Sequence, residues 1–116
     1  MINDKIKSGV YIIEDINRST DTHLFVKVGM SNKNIDKRIL QVKKELNFCG
    51  IDSNIKVFTK IYCRQALKCE QLLHKILSIY RVNNYSENKK SEWFKVPESK
   101  LNEKLMLINT ELHRFK

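Results

Sequence analysis

Three side chains of different chemistry stand far apart along this 116-residue chain: the phenol of Tyr11, the guanidinium of Arg38 and the carboxylate of Glu70. A phenol can hydrogen-bond a water, or take its proton where nearby charge lowers its pKa. A guanidinium presents a rigid fork of donors that suits a phosphate. A carboxylate binds a hard cation through oxygen. Brought together, these are the parts that phosphodiester cleavage with one divalent metal would need. Each also has a plainer use. Tyr11, between apolar neighbours, can be a core residue with one satisfied hydroxyl. Arg38 can pack its stem on the core and keep its head in water. Glu70 can form an ordinary helix pair with His74, four residues on.

The elements that must position these groups are readable in coarse form. Val10–Ile13 is a short apolar run behind Gly9 and predicts a mostly buried strand. Asp15–Thr22 is polar and turn-rich, and Leu24–Val28, ended by Gly29, predicts a second strand. A short polar loop between two strands most simply makes an antiparallel hairpin. A helix is expected from Asn32–Asn34 onward, with either asparagine able to cap it. Ile35, Ile39, Val42 and Leu46 give it one apolar stripe. Arg38 lies beside that stripe, away from the fully wet face, whereas Lys37, Lys43, Lys44 and Glu45 lie off it.

Asn47–Ser53, with Gly50, breaks the pattern. Ile55, Val57, Thr59 and Ile61 then alternate with Lys56, Phe58, Lys60 and Tyr62, which predicts a third strand. Gln65 to about Tyr80 is the strongest helical segment, with Cys69, Leu72, Leu73, Ile76, Leu77 and Tyr80 on its buried face and Glu70 at the edge of that face. A polar loop, Asn83–Ser91, precedes a short extended piece at Trp93, Phe94 and Val96, whose aromatics are expected to plug the core. Pro97 suits the first turn of a last helix, lined on its inner side by Leu101, Leu105, Ile108 and Leu112. The order predicts a small α/β (α+β) layer domain: a three-stranded, mainly antiparallel sheet flanked by helices.

Composition sets outer limits. The length fits one domain, residues 1–116. The formal net charge of +9 points towards a polyanionic partner. No run approaches the ~18 apolar residues of a membrane span, and Met1–Ser8 has no apolar signal core, so a cytoplasmic location and no membrane partner are expected. Cys49, Cys63 and Cys69 are odd in number and lack zinc-ligand spacing. Buried free thiols are the expectation.

In chain order, Gly9-Val10-Tyr11, Lys27-Val28-Gly29, Arg38, Glu70 with His74, and Glu92-Trp93-Phe94 resemble the GIY-YIG endonuclease superfamily, in the form of its compact phage and bacterial branch. The resemblance covers about residues 8–96, with a C-terminal helix following over about 97–114. Lys27 stands where many members have tyrosine, and Met30 where many carry lysine.

The resemblance implies a metal-dependent DNA endonuclease. In it Glu70 would hold one Mg²⁺ or Mn²⁺, Arg38 would neutralise phosphoryl charge, and Tyr11 would orient or deprotonate the attacking water. His74 would contact phosphate or relay a proton. Lys27, Ser31, Asn32, Lys43 and Lys44 are the candidate contacts to DNA, Ser31 and Asn32 through the anion-favouring start of the helix. One metal site cuts one strand at a time, so a double-strand break would need two protomers or two events, and the last helix could support a homodimer. Two other classes stay open at this point: a nucleic-acid-binding module of the same fold without cleavage, and a basic protein-interaction or inhibitor domain.

Overall fold

The computed structural model describes residues 6–48, 54–82 and 93–111. Cys49, the Asn83–Ser91 loop, Glu92 and Leu112 lie outside the described residues, as does the side chain of Ile108. Strand β1 (Gly9–Asp15) and strand β2 (His23–Ser31) form the expected antiparallel hairpin, with Tyr11 opposite Gly29. Asp15 locks the turn between them. Its buried carboxylate accepts from the Asn17 backbone N–H at 3.1 Å and from Arg18 Nη1 at 2.5 Å. Ser19 Oγ donates to the Asp15 carbonyl and accepts from the Phe25 N–H. Helix α1 (Ile35–Phe48) follows, then strand β3 (Ile55–Tyr62), helix α2 (Ala66–Ile76), strand β4 (Trp93–Pro97) and helix α3 (Glu98–Glu111).

The sheet is four-stranded and antiparallel, in the order β3-β1-β2-β4, rather than three-stranded. The extended piece at Trp93–Pro97 is a full strand on β2, paired from His23↔Pro97 to Lys27↔Trp93. Pro97 is therefore the last residue of an edge strand, a position that needs no ladder N–H, and α3 begins one residue later. Helix α2 is shorter than its apolar pattern, ending at Ile76 before a separate 3-10 turn at Ser78–Tyr80. The pattern runs on because Leu77 stays fully buried although the helix has ended.

Alternation along the two central strands divides the core in two. Val10, Ile12, Val26 and Val28 face α2 and α3, packing with Cys69, Leu73, Leu77, Phe94, Val96 and Leu101. Tyr11 and Ile13 face the other way, onto Ile35, Ile39 and Val42 of α1. A one-residue slip would exchange these sets, so the pairing register and the two helix layers enforce each other. Trp93 and Phe94 are buried as expected, with Trp93 stacked on Phe25 at 5.0 Å between ring centroids.

Cys63 and Cys69 are buried free thiols. Burial, with Cys63 alongside, pushes the Cys69 thiol up to about 12. Among the described residues, no helix is long and apolar enough to cross a membrane.

Candidate active site

Two glycines explain the two short strings that frame the site. Gly9 has φ +156°, and a β-carbon there would overlap the Ile61 carbonyl of β3. Gly29 has ordinary backbone geometry, but a β-carbon on it would occupy the space of the Tyr11 ring and hydroxyl. The missing side chain lets the phenol lie flat across β2 from its neighbour β1. Tyr11 is 1% exposed, so its ring is a core element of the α1 layer while its oxygen is carried to Gly29.

The buried stripe of Ile35, Ile39 and Val42 sets the rotation of α1, and Asp36 marks the flank that lies over β3. Asp36 accepts from Lys60 Nζ at 2.5 Å and from Tyr62 Oη at 3.1 Å, both on β3. At ~100° per residue, Arg38, Gln41 and Glu45 then occupy the opposite flank, over β2. Arg38 Nη1 donates to Gln41 Oε1 at 2.9 Å and lies 3.5 Å from Glu45 Oε1. The guanidinium thus runs along its own helix, answered by two exposed side chains at i+3 and i+7.

On the far face of the sheet, His74 fixes the equivalent flank of α2. Its Nε2 donates to the Val28 carbonyl at 3.0 Å, and its ring packs against Phe94 at 5.4 Å. Val28 follows Lys27, which pairs with Trp93 at the start of β4. Half-buried Glu70 sits one helical turn earlier on the same flank, nearer the sheet end where β2 finishes.

His74 ties its flank of α2 to β2 at Val28, beside the Gly29 that the Tyr11 ring covers from the opposite face of the sheet. Tyr11 and Arg38 come from the α1 side, and Glu70 and His74 from the α2 side. Lys27 forms the last β4 pair and borders the same stretch.

The other candidate contacts are dispersed. Ser31 Oγ accepts from the backbone N–H groups of Lys33 and Asn34, Asn34 Oδ1 accepts from Lys37, and the Ile35 N–H donates to the Lys7 carbonyl. Asn34 is thus the capping asparagine, and these donors at the start of α1 are already engaged within the protein. Asn32 is exposed beside them. Lys43 is half-buried on the β3 flank of α1, and Lys44 is exposed on its outer face, both away from the Arg38 flank.

Two features had no counterpart in the sequence reading. One is the Asp36–Lys60–Tyr62 cluster. The Lys60 hydrogen bond holds the Asp36 carboxyl below its ordinary value. The bond to Asp36 raises Lys60, while burial first and Asp36 second raise Tyr62. The other is Arg81, whose guanidinium lies 5.3 Å from the Phe94 ring centroid and whose buried Nε has no hydrogen-bond partner among the described residues. Only the partners of Arg38, at helical spacing, could have been found from sequence.

Residues 8–109 match the family model of the T5orf172 domain. No curated protein and no solved structure matches the chain. The match spans most of the sequence, and the chain accordingly belongs to the T5orf172 domain family, a domain related to the GIY-YIG nuclease-like fold.

Proposed function

We propose that this chain is a divalent-metal-dependent endonuclease that hydrolyses phosphodiester bonds in DNA. The observation that supports the reading best is the arrangement about Gly29, near the end of β2. The glycine admits the Tyr11 phenol from the α1 face, the face on which Arg38 also lies, and on the opposite face His74 ties the Glu70 flank of α2 to the adjacent Val28 carbonyl. The net charge of +9 suits a polyanionic substrate.

Among the described residues there is no group of three or more His, Cys, Asp or Glu that could hold a metal ion by itself. One half-buried carboxylate fits a different mode of binding, in which Mg²⁺ or Mn²⁺ keeps most of its waters and shares a protein carboxylate with substrate phosphate. Glu70 would be that ligand. When bound, the cation polarises the scissile phosphate and stabilises the leaving oxygen.

The side chains supply the rest. Tyr11, unable to swing because its ring is buried, orients the attacking water or takes its proton. Arg38 exchanges Gln41 and Glu45 for the phosphoryl oxygens, where charge builds in the transition state. His74 contacts phosphate or relays a proton. Lys27, Ser31 and Asn32 border the same end of β2, and Lys43 and Lys44 act as general backbone contacts on a longer duplex.

The test is relaxation of supercoiled plasmid with Mg²⁺ or Mn²⁺. Cleavage is expected with either ion, to stop with chelator, and to vanish in Glu70→Ala while the melting temperature holds. Cleavage that survives Glu70→Ala removes the metal assignment. A second reading, DNA binding without cleavage, draws on the Arg38–Glu45 contact, which already answers the guanidinium charge. It predicts salt-dependent binding and intact plasmid with every metal.

A further inference from the structure

A recess of about 720 Å³ lies on the β3 side of α1, the flank facing away from Arg38. Ile6, Leu40 and Tyr62 give it an apolar floor, and Lys7, Lys37 and Asp36 stand round it, Asp36 in its pair with Lys60. Leu40 is 60% exposed and Tyr62 41%, large values for apolar and aromatic groups. Tyr62 is also held in place. Its hydroxyl donates to Asp36, which Lys60 grips in turn, so the ring is fixed before any ligand arrives.

We infer that this recess is a nucleotide-binding subsite, taking one unpaired base of the nucleic-acid substrate against Tyr62, with its phosphates at Lys7 and Lys37. This deepens the endonuclease reading and rests on it for the class of substrate. The argument is chemical complementarity. A flat apolar floor beside a cationic rim fits a ligand that is aromatic at one end and anionic at the other. An apolar peptide would leave the lysines without an answer, and a bare anion would leave the floor wet. The Asp36 charge is already engaged by Lys60 and does not stand against a phosphate. The volume falls in the range of small-ligand pockets, and a pre-fixed aromatic face is how single strands are gripped without sequence readout. Because the recess and the Arg38 flank are the two sides of one helix ~10 Å across, a strand could cross the start of α1 and engage both.

The experiment measures binding in chelator, so that cleavage plays no part. A fluorescent single-stranded dT12 is titrated with the intact protein and read by anisotropy. A second sample carrying 5-iodouracil is photocrosslinked and the crosslinked peptide mapped. Tyr62→Ala should raise Kd by roughly five- to hundredfold, the stacking loss typical of such platforms, and Tyr62→Phe should stay within about twofold because the ring face is kept. Leu40→Glu, at a solvent-facing position that the fold does not depend on, should weaken binding comparably by placing a negative charge on the floor. Removing Lys7 and Lys37 together should flatten the salt dependence by about 0.7 per lysine. The crosslink should map to the peptide containing Tyr62 or Leu40.

Wild-type affinity in both Tyr62→Ala and Leu40→Glu overturns the proposal, as does a crosslink confined to the Gly29–Arg38 side. A change of oligomeric state in Leu40→Glu at unchanged dT12 affinity also overturns it, because the recess would then be a contact between copies of the chain. Failure of the plasmid assay with Tyr62-dependent binding intact would remove the nuclease reading and leave this site standing.

Discussion

Helix α1 has two flanks that are built differently. The flank over β3 is fastened across elements: Asp36 is tied to Lys60 and Tyr62, 24 and 26 residues away in sequence. On the flank over β2, Arg38 meets Gln41 and Glu45 of the same helix. The buried stripe of Ile35, Ile39 and Val42 sets the rotation of the helix, and the cross-element bonds join its β3 flank to the sheet. Local bonds between exposed side chains hold a group where it can be exchanged at little cost, since such ion pairs contribute little in water. One flank is therefore a fixture, and the other presents a cation that a phosphate could claim.

The contrast breaks most severely at Gly29. Gly29→Ala should force the buried Tyr11 ring aside, costing about 1–3 kcal/mol of stability as overpacking does and lowering the melting temperature by roughly 5–15 °C. Cleavage should fall with it. Adding Tyr11→Leu in the same chain should restore part of the stability and none of the cleavage. Additive losses in that double-mutant cycle would mean the two residues do not share this space.

Arg38→Ala comes next and separates rate from stability. The expected loss is about 10²-fold in cleavage, with the melting temperature unchanged, and Arg38→Lys should recover only part because a point charge replaces a fork. An equal fall in rate and in DNA affinity would take Arg38 out of the chemistry. Tyr11→Phe keeps the ring over Gly29 and removes its hydroxyl, so a smaller rate loss, about tenfold, should appear in kcat rather than in binding. A wild-type kcat in Tyr11→Phe would leave the phenol a packing role only.

The smallest effect belongs to the fastened flank and is a pH dependence. Folding favours ionised Asp36, so its contribution is complete above the ordinary value of 3.8 and is lost as pH falls through the lowered one. Folding favours protonated Lys60, so that contribution is complete below 10.5 and is lost as pH rises through the raised value. Thermal melts of Asp36→Asn against the parent should differ between about pH 4 and pH 10, converge at both extremes, and converge with added salt because the pair is exposed. A difference that is flat across that range, salt included, would assign the effect to packing.

The sequence showed the hairpin, α1 and β3 because their apolar residues recur at periods of two or near four, but β2 runs on to Ser31 through the Gly29 expected to end it, because Gly29 still pairs with Tyr11. It showed less of β4, whose five residues follow a long polar stretch of sequence and carry too little alternation to announce a pairing partner. The end of α2 was hidden because Leu77 is buried by the fold rather than by the helix. Tyr11, Arg38, Glu70 and His74 could be singled out as residue types on elements. What each faces depends on how α1 packs on the sheet and, for His74, on a carbonyl of β2, neither of which has a local signature. The same holds for the recess beside Tyr62, which is assembled from three separated segments.

The bond from His74 to Val28 bears on how a proton could move here. A backbone carbonyl can only accept, so Nε2 must carry the hydrogen. In the uncharged imidazole this selects one tautomer and leaves the lone pair on Nδ1. Any base chemistry at this ring therefore has a built-in direction, entering through Nδ1 while the opposite nitrogen serves as its anchor to the sheet.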